Sequence, residues 1–143
     1  MKHLPHILLV EDQRATATLI QSILRESGHP HQLTHAADGQ EAIAFLSRPS
    51  TYAPDLVLLD LHMPTVGGMD VLAFIKRHVE LRTVPVIMMS ASEYNGDIHR
   101  AYQLHVNAFV KKAEDPLELA QTLDAIFKMW LQIAVRPAAV RLA

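Results

Sequence analysis

The amino-acid sequence predicts a doubly wound α/β fold built on a five-stranded parallel sheet. Short apolar segments alternate along the chain with segments whose apolar residues recur at helical spacing. Residues 7–10 (ILLV) and 56–59 (LVLL) are apolar throughout, which is typical of strands buried on both faces of a sheet. Because each connection has room for little more than one helix, the strands are expected to run parallel with helices on both faces.

The predicted elements follow one another in a regular order. Gly28 ends the first helix, Pro85 introduces the fourth strand, and Pro116 lies near the first turn of the last helix, where proline is tolerated. The predicted domain spans residues 1–133, and residues 134–143 are expected to form a loose tail. Strands are predicted over residues 7–10, 32–36, 56–59, 86–90 and 108–111, and helices over residues 14–26, 39–47, 69–78, 97–104 and 116–132.

The composition excludes several classes of protein. With 143 residues, half of them apolar, the chain is long enough for one domain with a substantial core. A net charge of −2 gives no basic field for nucleic acid or an anionic membrane. The absence of cysteine excludes disulfides, zinc–thiolate sites and thiol nucleophiles. The sequence shows no signal peptide and no apolar segment of membrane-spanning length, so we expect a cytoplasmic protein.

Acidic residues follow two of the predicted strands. Asp60 comes directly after residues 56–59, and Pro64 with the following glycines turns the chain soon afterwards. Glu11 and Asp12 end the first strand in the same way. With strand order 2-1-3-4-5, strands 1 and 3 flank the crevice where such sheets bind ligands. Three carboxylates brought together there repel one another, and their oxygen ligands favour a hard divalent cation such as Mg²⁺.

Polar residues at the ends of the last two strands complete a chemical set. Ser90 ends the fourth strand and can donate a hydrogen bond to a phosphoryl oxygen. Lys111 and Lys112 end the fifth strand and can place a cation opposite the acids, and we expect Lys111 to be a solvated surface charge. A carboxylate nucleophile, a metal, a hydroxyl and a lysine are the groups needed for phosphoryl transfer to an aspartate.

These residues resemble the receiver domains of two-component response regulators over roughly residues 4–130. The resemblance rests on the acidic pair after the first strand, on Asp60 within DLVLLDLHMPTVGG, on Ser90-Ala91 after VIMM, and on Lys112 after Ala108-Phe109-Val110. It implies the flavodoxin-like receiver fold, with a histidine kinase as the phosphoryl donor.

The resemblance also implies a role for each site residue. Asp60 would be the phospho-acceptor, and Ser90 and Lys112 would contact the phosphoryl group. Phe109, with Ser90, would be the switch pair, although Phe109 is equally expected as a fixed core aromatic. For Mg²⁺, Asp12 would be a direct ligand, Glu11 would act through water, and His62 would contribute its backbone carbonyl.

A narrower resemblance concerns the small response regulators paired with phytochrome histidine kinases. It rests on residues 102–107 (YQLHVN) and on Met129-Trp130-Leu131. It makes a phytochrome one candidate kinase and implies a dimer through the face formed by helix 4, strand 5 and helix 5. Where the receiver pattern has a proline, usually after a cis peptide bond, Ala113 follows Lys112, so the sequence leaves this peptide geometry open.

The last predicted helix carries a separate argument for self-association. Its two neighbouring apolar stripes cover a wider arc than a helix on one face of a sheet requires. We therefore predict a homodimer that buries Ile126, Trp130 and Ile133, the alternative being that the helix packs against its own domain. The first stripe comprises Leu119, Leu123, Ile126, Trp130 and Ile133, and the second comprises Leu117, Ala120, Phe127 and Leu131.

The predicted function is that of a phospho-accepting signalling domain. A binding module that never needs phosphate is disfavoured by the presence of Asp60, Asp12 and Lys112. An aspartyl-nucleophile phosphatase would want a second carboxylate two residues after the nucleophile, where His62 stands. The remaining histidines are expected to be scattered over the surface, with no metal-binding pair. Since the residues after Gln132 are too few for a DNA-binding domain, output is expected through protein contacts.

Overall fold

The sheet has the predicted topology. The computed structural model describes residues 4–138 and 140–143, and within them five parallel strands lie in the order β2-β1-β3-β4-β5. The doubly wound α/β fold is therefore confirmed. The strands are β1 (His6–Val10), β2 (Gln32–Ala36), β3 (Leu56–Asp60), β4 (Val86–Ser90) and β5 (Ala108–Lys111). The helices are α1 (Arg14–Glu26), α2 (Gly39–Leu46), α3 (Gly68–Arg77), α4 (Asn95–Gln103) and α5 (Pro116–Phe127).

Two apolar cores lie on opposite faces of the sheet. Side chains alternate along each strand, so Ile7 and Leu9 enter one core while Leu8 and Val10 enter the other. Helices α1 and α5 cover the first face, and α2, α3 and α4 cover the second. Every residue of β3 and β4 is buried, as the uninterrupted apolar runs predict.

The last helix differs from the prediction in its final turns. Asp115 begins α5 by accepting a hydrogen bond from the Glu118 N–H, and regular α-helix ends at Phe127. Residues Lys128–Ile133 then form a π-helical segment. Ile126 is buried in the core of its own domain, Trp130 is partly buried against it, and Ile133 is exposed. Of the residues predicted for a dimer interface, Ile126 therefore has little surface left to offer a partner.

The C-terminal residues are docked, which corrects the expectation of a loose tail. Arg141 forms an antiparallel bridge with Tyr52. The Ser50 N–H donates to the Leu142 carbonyl at 2.8 Å, and the Leu142 N–H donates to the Thr51 carbonyl at 2.7 Å. The Leu142 side chain is buried among the core residues of the α2–α4 face. These partners are about ninety positions distant in the sequence, so no local pattern in the tail predicts them.

Candidate functional site

The carboxyl ends of β1 and β3 bring three carboxylates together. Val10 is paired with Leu59, so the residues that follow them, Glu11 and Asp60, lie side by side. One carboxylate oxygen from each of Glu11, Asp12 and Asp60 lies within 4.8 Å of the others. Glu11 and Asp60 are buried and Asp12 is half-buried. The predicted acidic cluster is therefore present at the predicted edge of the sheet.

One oxygen of this cluster has no partner within the part of the chain that the structure describes. Asp12 Oδ1 is buried and accepts no hydrogen bond there. A buried, unpaired carboxylate oxygen is costly, and a cation coordinated to it would remove that cost. The all-oxygen set around it suits a hard divalent ion. The residues present therefore fit a magnesium site.

A lysine faces the acids from the end of β5. Lys112 Nζ donates hydrogen bonds to Glu11 Oε1 at 2.7 Å and to Asp60 Oδ1 at 2.8 Å. The Lys112 backbone N–H donates to the Ser90 carbonyl at 2.7 Å, which continues the pairing of β5 with β4. Lys111 lies on the other side of the strand, exposed, with Nζ 3.9 Å from Glu93 Oε1. The structure thus brings Lys112, and not Lys111, to the acidic cluster.

The charges of the cluster shift two pKa values. Burial raises the pKa of Asp60, the hydrogen bond and charge of Lys112 oppose that rise, and the neighbouring carboxylates of Glu11 and Asp12 add to it. Burial alone would lower the pKa of Lys112, but its bonds to Asp60 and Glu11 raise that pKa above the ordinary value. The lysine is therefore held protonated, and among the described residues one cation faces three acids. That imbalance favours a further cation.

Ser90 is buried at the end of β4. Its hydroxyl oxygen accepts a hydrogen bond from the Ser92 N–H at 3.1 Å. That bond does not use the hydroxyl hydrogen, which can be donated to a ligand oxygen.

Phe109 and His62 both lie beside α4. The Phe109 side chain is half-buried and packs against the core of the α2–α4 face. Its backbone N–H, on the edge strand, donates to the Tyr102 hydroxyl on α4 at 3.1 Å. The His62 side chain points into solvent, with Nε2 3.9 Å from Asp97 Oδ2 at the first turn of α4.

The loop after Asp60 is closed by a glycine that leaves no room for a side chain. A Cβ at Gly68 would lie 2.4 Å from the Asp60 carbonyl oxygen, whereas a Cβ at Gly67 would meet only ordinary contacts at 3.7 Å. The close approach at Gly68 fixes the start of α3 against the end of β3. At the opposite side of the site, the Lys112–Ala113 peptide is trans, since the described residues contain no cis peptide bond.

The sequence analysis did not predict the position of one residue in this region. His35, near the end of β2, has Nε2 2.8 Å from the backbone carbonyl oxygen of Glu11. It is half-buried, as are His6, His29 and His31, so the expectation of surface histidines holds only for part of the set. The available signal was position, because β2 is the neighbour of β1 in the strand order and His35 stands one residue before its end.

Comparisons with known proteins agree with this geometry. The model of the family "Response regulator receiver domain" matches residues 7–124. Response regulator Rcp1 of Synechocystis sp. is 37% identical over 137 residues, which cover 93% of this chain and 93% of Rcp1.

Solved structures of related proteins have the same fold. The phosphorylated cyanobacterial phytochrome response regulator RcpA matches with a TM-score of 0.86 and 38% identity, over 95% of this chain and 100% of that one. The Mn²⁺-bound form of Rcp1 matches with a TM-score of 0.83 and 35% identity, over 94% and 99% of the two chains. None of the helices among the described residues has both the length and the apolar character needed to cross a membrane. The chain belongs to the response regulator receiver domain family.

Proposed function

We propose that this chain accepts a phosphoryl group on the Asp60 carboxylate from a phosphohistidine of a histidine kinase. The observation that carries the proposal is the buried cluster of Glu11, Asp12 and Asp60, with Lys112 Nζ 2.8 Å from the acceptor carboxylate. In this proposal the chain modifies only itself and turns over no separate substrate.

The transfer is a displacement at phosphorus. An oxygen of Asp60 forms a bond to phosphorus while the phosphorus–nitrogen bond of the phosphohistidine breaks. The electron pair of that bond stays on the imidazole nitrogen, which then takes a proton. Lys112 and the Ser90 hydroxyl would donate hydrogen bonds to the phosphoryl oxygens. Catalysis here consists of positioning and charge neutralisation, as in other phosphoryl transfers.

Magnesium is the cofactor that the donor set fits. Asp12, Asp60 and Glu11, with the backbone carbonyl of His62, would hold it. When bound, the ion supplies positive charge against the phosphoryl oxygens and the crowded carboxylates. The unpartnered Oδ1 of Asp12 and the existence of a Mn²⁺-bound form of Rcp1 support this assignment.

The output surface in this proposal is formed by α4, β5 and α5. Ser90 is paired with Lys111 in the sheet, and Met88 with Phe109, so a shift of Ser90 toward a phosphoryl group would act on β5 directly. The bond from the Phe109 N–H to the Tyr102 hydroxyl links β5 to α4. Phosphorylation would therefore reach the outer face through Ser90 and Phe109.

The proposed partners are a kinase and a second copy of the chain. The similarity to Rcp1 and to a cyanobacterial phytochrome response regulator favours a phytochrome as the histidine kinase. For a homodimer, the support is apolar surface on the π-helical segment: Ile133 is 69% exposed and Met129 47% exposed, next to the partly buried Trp130. Trp130→Glu should lower the association constant measured by sedimentation and leave phosphorylation of Asp60 intact. Wild-type protein that remains monomeric at tens of micromolar would refute the dimer.

The phosphorylation proposal is tested by intact-mass spectrometry with a small phosphodonor and Mg²⁺. Wild type should gain the mass of one phosphoryl group, and peptide mapping should place it on Asp60. Incubation with a phosphorylated phytochrome kinase should give the same product. Wild type that gains no mass with either donor would identify a binding module that works without phosphate.

A further inference from the structure

We propose that His35 is a positioning residue for the metal site, since it fixes the peptide that joins Glu11 to Asp12. This inference rests on the proposed function, because it concerns how tightly the acidic cluster holds a divalent cation. The juxtaposition that carries it is the 2.8 Å contact between His35 Nε2 and the Glu11 carbonyl oxygen.

The direction of this hydrogen bond follows from its acceptor. A backbone carbonyl carries no hydrogen, so Nε2 must be protonated and must donate. On the other side of the same residue, the Glu11 N–H donates to the Ala36 carbonyl at 3.1 Å. Two successive peptide units, before and after Glu11, are thus tied to β2. Because each unit is planar, holding the Glu11 carbonyl also sets the direction in which the Asp12 backbone leaves.

Asp12 depends on this backbone more than its neighbours do. The Glu11 side chain is held independently by Lys112 Nζ at 2.7 Å and by the Gln13 N–H at 3.2 Å. Asp60 ends a fully buried strand and is held by the same lysine. Asp12 Oδ1, by contrast, accepts no hydrogen bond within the described residues. Its position is therefore set chiefly by the peptide plane that His35 fixes.

Regular sheet pairing does not reach this far. The ladder between β1 and β2 ends at Val10 and Ala36, and α1 begins at Arg14. The His35 ring thus supplies a donor just beyond the point where backbone pairing stops. Groups that hydrogen-bond to metal-ligating side chains change metal affinity by about 10–100-fold when they are removed, and we expect an effect of that order for His35.

The test measures Mn²⁺ binding by electron paramagnetic resonance, which needs no phosphorylation. His35→Leu should raise the dissociation constant by about 10–100-fold. His35→Gln should bind Mn²⁺ close to wild type, since glutamine places an amide N–H the same number of bonds from Cα as Nε2. His35→Asn should behave like His35→Leu, because its amide ends one bond short.

Thr34→Val is the matched control on the same strand. It removes the contact of Thr34 Oγ1 with His6 Nε2 at 2.7 Å, which also joins β2 to β1 but lies away from the acids. Its Mn²⁺ affinity should equal that of wild type. In phosphorylation assays with a small donor, His35→Leu should need more Mg²⁺ for half-maximal rate and should approach the wild-type rate at saturating Mg²⁺.

The outcomes separate the two proposals. If wild type binds Mn²⁺ and folded His35→Leu and His35→Asn bind it equally well, the role of His35 is overturned and the proposed function stands. Equal weakening in Thr34→Val and His35→Gln would show general loosening of the sheet and would also overturn it. If wild type binds no Mn²⁺, both proposals fall. Should His35→Leu not fold, the comparison of His35→Gln with His35→Asn decides.

Discussion

A buried aspartate lies at each end of β3 and contacts a basic side chain. The two ends differ in the ratio of acidic to basic groups around that aspartate. At the amino end, Asp55 accepts from Arg136 at 2.5 Å and from the His6 N–H at 2.8 Å. At the carboxyl end, Asp60 shares one lysine with Glu11 while Asp12 lies alongside. Among the described residues, the amino end sets one carboxylate against the Arg136 guanidinium, whereas the carboxyl end crowds three carboxylates around the Lys112 ammonium group. We expect the first arrangement to stabilise the fold, and we propose that the second binds a cation and carries the reactive carboxylate.

The largest expected contrast comes from neutralising each aspartate in turn. Asp60→Asn should abolish labelling by a small phosphodonor with Mg²⁺, since the nucleophilic carboxylate is lost. Asp55→Asn should be labelled at the wild-type rate, but its free energy of unfolding should fall by about 1–3 kcal/mol because Arg136 loses a charged hydrogen-bond partner. Intact-mass spectrometry and urea unfolding measure the two effects. Labelling that survives in Asp60→Asn and maps to another residue would break the comparison.

Substitutions at Gly67 and Gly68, which follow β3, test how strongly the carboxyl end of the strand depends on its backbone geometry. Gly68→Ala places a Cβ 2.4 Å from the Asp60 carbonyl oxygen, so the loop must move, at a cost of about 1–3 kcal/mol in unfolding free energy. Phosphorylation should slow in the same variant because the reactive strand end shifts. Gly67→Ala, with its nearest contacts at 3.7 Å, is the control and should retain both stability and rate. Equal behaviour of the two variants would show that the site tolerates displacement of this loop.

A third substitution tests the amino end of β3 separately, through the tail that docks beside it. Leu142→Ala removes a buried side chain of the docked tail and should lower the free energy of unfolding by about 2 kcal/mol, at the low end for buried leucine because a chain end can relax. Val140→Ala, at a more exposed position of the tail, should cost less. Neither should alter the phosphorylation rate, which mass spectrometry checks. A slowed rate in Leu142→Ala would mean that the two ends of the sheet are coupled.

The smallest effect is a pH dependence of stability at the carboxyl end. Burial raises the pKa of Asp60, so between its unfolded and folded values the native protein holds a proton that the unfolded chain has released. Ionised Asp60 therefore destabilises the metal-free protein at neutral pH, and this destabilisation disappears as the pH falls through the folded-state pKa. Asp60→Asn should be more stable than wild type near pH 7 without Mg²⁺, with a gap that closes toward about pH 4.

Urea unfolding of both proteins over that range measures the gap. Adding Mg²⁺ should narrow it at pH 7, since an ion that binds only the native state stabilises wild type. A gap that does not change with pH would assign the difference to packing rather than to the charge of Asp60.

The sequence sufficed for those features that depend on local patterns. Continuous apolar runs indicate buried parallel strands. Once the strand order is known, the residues that end these strands, including Asp60 and Ser90, must lie at one edge of the sheet. The choice of Lys112 over Lys111 needed the register of β5, which the family resemblance supplied. Boundaries of α1, β2 and β4 agreed with the predicted ranges.

The features that were missed depend on distant partners. The hydrogen bond of His35 to Glu11 joins residues 24 positions apart, and that of Ser50 to Leu142 crosses most of the chain. A short polar segment gives no sign of either contact. Periodicity also placed Ile126 and Ile133 on one stripe, although the first lies in the core and the second in solvent.

The π-helical segment explains that last discrepancy and has a consequence for comparing this chain with its relatives. A π turn accommodates one more residue than an α turn, so side chains beyond it are rotated by about 100° from their α-helical directions. An alignment that runs without a gap from Phe127 to Ile133 would equate outward-facing positions here with inward-facing ones in a relative whose helix stays regular. Surface residues inferred for this segment from another member of the family would then be displaced by one position.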